Sequence, residues 1–377
     1  MPKKIYILSP AFPYRGGIAT FTNRMAQEFQ SEGHDVTVLT FSLQYPKFLF
    51  PGKTQYSTSE PPKGLKIERC VSSICSRNWR KNGHRIRKEK PDLLIIAYWT
   101  PFMAPCFGTI ARIAKRNKHT KILSLVHNMI PHEKRFYDKW LSRYFVKPID
   151  AFIALSESVK NDILQFSQKP CIVTPHPMYD NFGDAISHES ALQRMNLSPD
   201  FRYLLYFGLI RRYKGLDLLL EAFADERLKK LPLKLIVAGE FYEDSKPYFD
   251  IIDKHNLHDR IVLKTEFVPD DEVANLFCSA DLVTLPYRDA TQSGVTQIAY
   301  YFEKPMLVTN VGGLPEIVPN EKSGYVVAPN TQAIADALVD FFETKNPDFF
   351  TKTLQEERKR FEWSAFTAAT YRIAPSV

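Results

Sequence analysis

The chain has 377 residues, 44% hydrophobic and 24% charged, a composition that suits two ordinary globular domains and excludes a disordered protein. The net charge of +8 hides an asymmetry: residues 1–180 hold 28 Lys and Arg against 13 Asp and Glu, a balance of +15, and the remainder holds 22 against 29, or −7. A basic half suits nucleic acid, an anionic membrane surface or a phosphorylated substrate, but no helix-turn-helix, zinc or RNP-type signature supports the first.

The amino terminus, "MPKKIYILSPAF", has an apolar run of four residues, Ile5 to Leu8, too short for a signal-peptide core or a membrane span, so the protein is expected in the cytoplasm. Cys70, Cys75, Cys106, Cys171 and Cys278 are scattered, with no C-x-x-C pair, and are expected to be reduced and structural.

Along the chain, short β-branched runs alternate with amphipathic segments. In the first half "KKIYILS", "DVTVLTF", "PDLLIIAY", "KILSLVH", "AFIALS" and "CIVTP" predict buried strands. Between the first two, "IATFTNRMAQEFQSEG" carries apolar residues at 18, 21, 25 and 29 and predicts a helix closed at Gly33. The stretch 41–56 mixes Phe41, Tyr45, Phe48, Leu49, Phe50 and Tyr56 with Lys47 and Lys53, which suits either a membrane interface or an ordinary packed loop whose aromatics fill a local core. Residues 63–90 hold ten basic residues and two acids and read as a solvated surface helix.

Residues 180–200 are polar, without strand character, and mark a hinge. A second series follows: "YLLYFGLI", "LKLIVAG", "RIVLKTEF", "DLVTLPY", "PMLVTNV" and "GYVVAP". Alternating strands and helices imply parallel sheets covered on both faces, hence two doubly wound domains. Such sheets bind ligands at the carboxyl ends of their strands, so the loops there are the place for chemistry.

Four loops stand out. Gly16 and Gly17 open a helix after the first strand, where backbone N–H groups can approach an anion. Arg211, Arg212 and Lys214 crowd the mouth of the helix in "FGLIRRYKGLDLLLEAF"; three cations within four residues repel one another unless an anion answers them, and a diphosphate would. In "DATQSGVTQIAYYF", Ser293, Gly294 and Val295 offer free backbone N–H groups to phosphate oxygens. Gly312 and Gly313 precede a short helix carrying Glu316, a donor-binding candidate or a stabiliser of that helix's first turn. No D-x-D pair is placed to hold a metal, and "DD" at 270–271 reads as a helix cap. The G-x-G-x-x-G dinucleotide fingerprint is absent.

The order and spacing of "SPAFPYRGGIATF", "LVHN", "ALSESVKNDI", "FGLIRRYKGLDLLLEAF", "LIVAGE", "FVPDDEVANLFCSADLVTLPY", "KPMLVTNVGGLPEIV", "SGYVVAP" and "FEWSAFTAATYR" resemble the retaining glycosyltransferases of family four, with the GT-B fold. The resemblance implies two Rossmann-like doubly wound α/β domains facing across a cleft. An acceptor-binding domain would span 1–185, a nucleotide-sugar-binding domain 186–360, and a helix over 361–377 would pack back on the first domain. Carried over residue by residue, it points to Gly16 and Gly17 beside the donor diphosphate and acceptor. His127 would contact the donor sugar, and Lys214 with Arg211, ahead of Arg212, would hold the diphosphate. The usual arginine directly after the strand glycine is here Leu209.

The main departure is a missing pair of glutamates, whose ungapped positions hold Ala290 and Ile298. Asp289, Gln292, Ser293 and Gln297 are the polar neighbours, with Asp289 and Gln297 one place off the expected register. The implied activity is metal-independent hexosyl transfer, with retention, from a UDP- or GDP-sugar. The acceptor would be a glycan or lipid-linked species in bacterial-type cell-surface polysaccharide or glycoconjugate synthesis. No cofactor besides the donor substrate is expected, and an anionic membrane surface is the expected partner, on the inner face of the cell membrane. The alternatives are a non-catalytic GT-B protein that binds a nucleotide sugar, which the absent glutamates favour, and a GT-B nucleotide-sugar epimerase.

Overall fold

The computed structural model describes residues 2–46, 55–57, 60–130, 136–290, 293–345 and 347–374. The chain divides into two compact units, Met1–Pro175 with Trp363–Val377, and His176–Glu362. Each is built on a parallel sheet.

In the first unit the strands are β1 (Lys4–Leu8), β2 (Asp35–Leu43), β3 (Lys66–Ser72), β4 (Leu93–Tyr98), β5 (Lys121–Val126), β6 (Ala151–Ala154) and β7 (Cys171–Val173), in the order β3-β2-β1-β4-β5-β6-β7. Its helices are α1 (Gly17–Ser31), α2 (Ser76–Glu89), α3 (Ala104–Ala114), α4 (Asp138–Val146) and α5 (Glu157–Leu164). A parallel sheet covered on both faces needs apolar residues in both directions, and β1 supplies them: Tyr6 and Leu8 join one core, Ile5 and Ile7 the other. The first core receives Ile86 of α2, Phe107 and Ile110 of α3, Phe145 of α4 and Val159 of α5. The second receives Phe21, Met25 and Phe29 of α1. The helix α1 ends in a Schellman motif at Gly33, with His34 N–H donating to the Phe29 carbonyl at 3.1 Å.

The second unit has β8 (Arg202–Phe207), β9 (Leu233–Ala238), β10 (Ile261–Lys264), β11 (Leu282–Leu285), β12 (Met306–Thr309) and β13 (Gly324–Val327), ordered β10-β9-β8-β11-β12-β13. Its helices are α6 (His188–Arg194), α7 (Leu216–Phe223), α8 (Glu226–Lys229), α9 (Lys246–Lys254), α10 (Asp270–Ser279), α11 (Gly294–Tyr301), α12 (Leu314–Ile317), α13 (Thr331–Thr344) and α14 (Thr351–Glu357). A last helix, α15 (Trp363–Ile373), belongs to the first unit, where Trp363 and Phe366 lie 5.0 and 5.5 Å from the Phe21 ring.

Three sequence expectations are corrected. The basic stretch 63–90 is not one surface helix: it holds the edge strand β3 before α2. As an edge strand it is poorly covered: Lys66 and Arg69 are exposed and Val71 alone of its residues is buried. Asp270 and Asp271 do not cap α10; Pro269 occupies the cap position without a side-chain bond, and the acids fill the first turn, where the helix dipole favours them. Cys75 is exposed at the N-cap of α2 and is not a core residue, whereas Cys106 and Cys278 are buried. In the stretch 41–56, Phe41 is fully buried and Tyr45 stacks on Phe102 at 5.7 Å, its oxygen accepting from Trp99 Nε1 at 2.9 Å. These two rings are packing residues, whereas Tyr56 is 46% exposed. Lys47, Phe48, Leu49, Phe50 and Lys53 lie outside the described residues.

Candidate active site

The site in the second unit forms where the loops after β8 and β11 meet. Gly208, just past β8, has φ +101, and a Cβ built there would stand 3.2 Å from Lys214 Nζ and 3.8 Å from Val295 Cγ2. Glycine is required by that positive φ, and its bareness lets the lysine of one loop and the helix start of the other converge. Gly215, φ +68, serves the same end: a Cβ there would fall 2.0 Å from the Pro286 carbonyl oxygen, so only glycine lets the Lys214 loop close against the end of β11.

Lys214 is half-buried, and its ammonium has neither hydrogen bond nor ion pair among the described residues; its nearest aromatic face is Tyr287, at 5.7 Å. Burial first, and the Arg211 charge second, push the amine down to about 8. A buried cation without an acid beside it is the arrangement expected where an anionic ligand completes the charge. Arg211 stacks over Tyr242 at 4.5 Å, and Arg212 is exposed. Together with Tyr213, Glu243 and Arg288 they line an open cleft of about 520 Å³. Arg288, which sequence reasoning passed over, pairs with Asp217 at 2.5 Å and donates its backbone N–H to the Tyr213 carbonyl.

The helix α11 starts at Gly294, with Ser293 as its N-cap. Ser293 Oγ accepts from Val295 N–H at 3.3 Å, so of the three N–H groups expected to be free, the one at Val295 already has a partner. Ser293 Oγ also lies 3.2 Å from the Tyr287 hydroxyl, which ties the cap to the end of β11. Ala290 and Ile298, the ungapped glutamate positions, are both buried in the apolar core. Of the shifted pair, Asp289 is exposed and Gln297 is 1% exposed, so the structure does not bring the two together as one acceptor set. Gln297 is the notable residue: neither amide atom has a hydrogen-bond partner among the described residues. Gln292 lies outside the described residues. Glu316 is exposed in the first turn of α12, a position the helix dipole favours.

The remaining candidates belong to the first unit. Gly16, φ +110, is the N-cap of α1 and Gly17 its first residue, both exposed. His127 follows β5; its backbone N–H donates to the Tyr98 carbonyl at 2.8 Å and its ring meets the Phe21 ring edge-on at 5.6 Å. These three stand at the carboxyl ends of adjoining parts of the sheet, since β4 alone separates β1 from β5.

Among the described residues no group of three or more His, Cys, Asp or Glu is arranged to hold a metal ion. Tyr179 and Tyr287 were not legible as site residues: the first lies near the start of the second unit, the second just past the end of β11.

Comparison with known proteins places this geometry. The sequence matches the family described as Glycosyltransferase Family 4 over residues 15–178 and that described as Glycosyl transferases group 1 over residues 201–344. An uncharacterised glycosyltransferase of Methanocaldococcus jannaschii is 24% identical, over 95% of this chain and 93% of that protein. O-antigen chain mannosyltransferase C of Escherichia coli is 25% identical, over 75% of this chain and 74% of that protein. Among solved structures, Anabaena HepE in complex with UDP superposes with a TM-score of 0.72 at 15% identity, covering 98% of each chain, and so shares the fold. The chain belongs to the family 4 glycosyltransferases and has their two-domain, Rossmann-like GT-B fold.

Proposed function

We propose that the protein moves a hexosyl group, with retention of anomeric configuration, from a nucleoside-diphosphate sugar to a glycan or lipid-linked acceptor during cell-surface polysaccharide or glycoconjugate synthesis. One observation carries the reading: the half-buried Lys214 ammonium, without a counter-ion among the described residues, beside Gly208 and the start of α11. A diphosphate supplies the missing charge there. UDP is the base to try first, since HepE binds it; GDP is the second candidate. The O-antigen mannosyltransferase among the relatives supports a polysaccharide or lipid-linked acceptor.

In this reading Lys214 and Arg211 bind the diphosphate and neutralise the charge that grows on it as the C1–O bond to phosphate breaks. Arg212 adds to the field at the mouth of the cleft. Backbone N–H groups at Ser293 and Gly294 face phosphate oxygen, Val295 walls the site beside Gly208, and Gln297 accepts or donates a single bond to a donor hydroxyl. Asp289 and Glu316 contribute, at most, from the exposed rim. Gly16 and Gly17 give a bare backbone to donor and acceptor, and His127 contacts the donor sugar. The acceptor oxygen bonds to C1 on the face the phosphate leaves, and its proton passes to the departing phosphate oxygen. Catalysis then rests on positioning, without a side chain as base, and the residues expected to do the work of a metal are the cations. The enzyme works in the cytoplasm, associated peripherally with the inner face of the membrane.

The test is calorimetric binding of UDP, GDP and ADP and their sugars, followed by acceptor assays with the base that binds. A Kd that rises at least tenfold in Lys214→Ala supports the site. Equal binding by wild type and variant refutes it.

A further inference from the structure

The first unit carries a surface that the chemistry of transfer does not use. The helices α2, α3 and α4 lie side by side on one face of its sheet, held close because α2 has Gly83 against Ile113 and α3 has Gly108 against Tyr144. A Cβ at either glycine would come within 2.8 or 2.7 Å of those side chains. Arg112 locks the second contact, its guanidinium 3.6 Å from the Tyr144 ring centre and bonded to the Gly108 carbonyl at 2.8 Å. The three helices therefore form one rigid layer.

The layer is charged with one sign. Residues 74–90 carry seven Lys and Arg, residues 101–118 four and residues 136–147 three, against Glu89 and Asp138 alone. Neither acid reaches outward: Glu89 bonds Arg85 and the Tyr6 hydroxyl, and Asp138 is buried. On α2, Arg77, Arg80, Lys81, Arg87 and Lys88 are exposed; on α4, Lys139 and Arg143 are. None of these seven has an ion pair or hydrogen bond among the described residues. Beside them Phe136, in the turn that leads into α4, is 97% exposed and Trp140, in the first turn of α4, is 68% exposed, where a water-facing surface gains nothing from either ring.

Unanswered cations around two projecting aromatics match one partner chemistry: an anionic lipid bilayer, whose headgroups neutralise the charge while the rings sit at the acyl boundary. We propose that this face is the membrane-docking surface, with Phe136 and Trp140 inserted and α2 lying on the headgroups. The inference rests on the membrane association advanced above and moves it away from the segment 41–56. Among the described residues no helix is long and apolar enough to cross a membrane.

The test is flotation of the full chain with vesicles of phosphatidylcholine, with and without phosphatidylglycerol. Binding is expected to the anionic vesicles only and to weaken as salt rises, by about fivefold for each cation removed, hence on the order of a hundredfold in the Arg80→Ala, Lys139→Ala, Arg143→Ala triple variant. Trp140 emission shifts to the blue on binding and is quenched by brominated lipid, and Trp140→Phe removes that signal. Nucleotide binding, which these residues do not touch, stays unchanged in every variant and shows that each folds. Loss of vesicle binding in Lys47→Ala, Lys53→Ala with none in the triple variant overturns the face and keeps the membrane association. No anionic-vesicle binding at low salt overturns both. Capture of duplex DNA without bromolipid quenching overturns the face as a lipid surface and leaves it a polyanion site.

Discussion

The Tyr179 ring lies against Gly294, so that a Cβ on that glycine would stand 3.1 Å from Tyr179 Cε2. The ring is held by a chain of bonds. His176 Nδ1–H donates to the Pro177 carbonyl at 2.7 Å, which leaves Nε2 to accept from the Tyr179 hydroxyl at 3.3 Å. Burial depresses His176 to about 4, so the imidazole is neutral at pH 7 and the tautomer that accepts from tyrosine is the one present. The segment that opens the second unit thus presses on Gly294, the first residue of α11.

A sign reversal follows for Gly294→Ala. In the wild-type background the added methyl meets the ring and destabilises the protein by about 1–3 kcal/mol, the usual result of overpacking. With Tyr179→Ala the space opens, and alanine's better helix propensity makes the same change neutral or stabilising by up to about 1 kcal/mol. Urea midpoints of the four proteins of the cycle measure this; equal effects in both backgrounds would show that the contact carries no energy.

Lys214 sets a pH dependence. The amine, held at about 8, must be protonated to bind phosphate, so the affinity for a nucleoside diphosphate falls about tenfold per pH unit above 8 and levels off below it. Binding near pH 8 should take up a proton, seen as buffer-dependent heat. Stability runs the other way. Because the folded pKa lies below the ordinary lysine value of 10.5, the unfolded chain holds more protons between about 8 and 10.5. The Lys214 contribution therefore makes the apo protein more stable as pH rises through that window. A flat binding profile from pH 7 to about 9 would contradict the lysine's role.

How much of this was legible depended on the kind of signal. Buried strands such as Leu93–Tyr98 announce themselves because a parallel sheet covered on both faces demands an unbroken apolar run. The edge strand Lys66–Ser72 does not: Val71 alone of its residues is buried, so its composition reads as surface, and its pairing with β2 reveals it. The loop glycines and Lys214 were readable because their chemistry is local. Tyr179, Tyr287 and Arg288 were not, because their roles come from contacts across 71 to 115 residues of sequence, as in the pair Arg288–Asp217 and the Tyr179 ring on Gly294. Phe41 and Tyr45 show the same limit: by composition they suit a membrane interface or a packed loop alike, and packing is a property that composition does not encode.

Phe21 joins α1, His127 and α15, and its neighbours offer a stability test. The rings of Trp363 and Phe366 both pack on it, and all three are buried. Phe366→Ala should cost about 3–5 kcal/mol by the transfer and cavity terms together. If α15 serves only as packing, nucleotide affinity measured well below the melting point stays unchanged, while the melting temperature drops.

The last prediction concerns Gln297, and it separates stability from recognition. A fully buried amide with neither atom bonded costs the folded protein about 1–3 kcal/mol, a penalty that a core residue bears only if something else gains. Gln297→Leu keeps the approximate volume and removes the orphaned atoms, so it should raise apo stability by an amount of that order. If the amide bonds the donor, the same change should weaken the nucleotide sugar by a factor of about 3–10, the worth of one neutral hydrogen bond, and leave the free nucleoside diphosphate almost untouched. Calorimetry with the sugar nucleotide and the bare nucleotide, beside urea midpoints, reads all three quantities. Stabilisation with no change in donor affinity would reduce Gln297 to an unsatisfied core residue and remove it from the site. Loss of both ligands alike would place it against the phosphates and not the sugar.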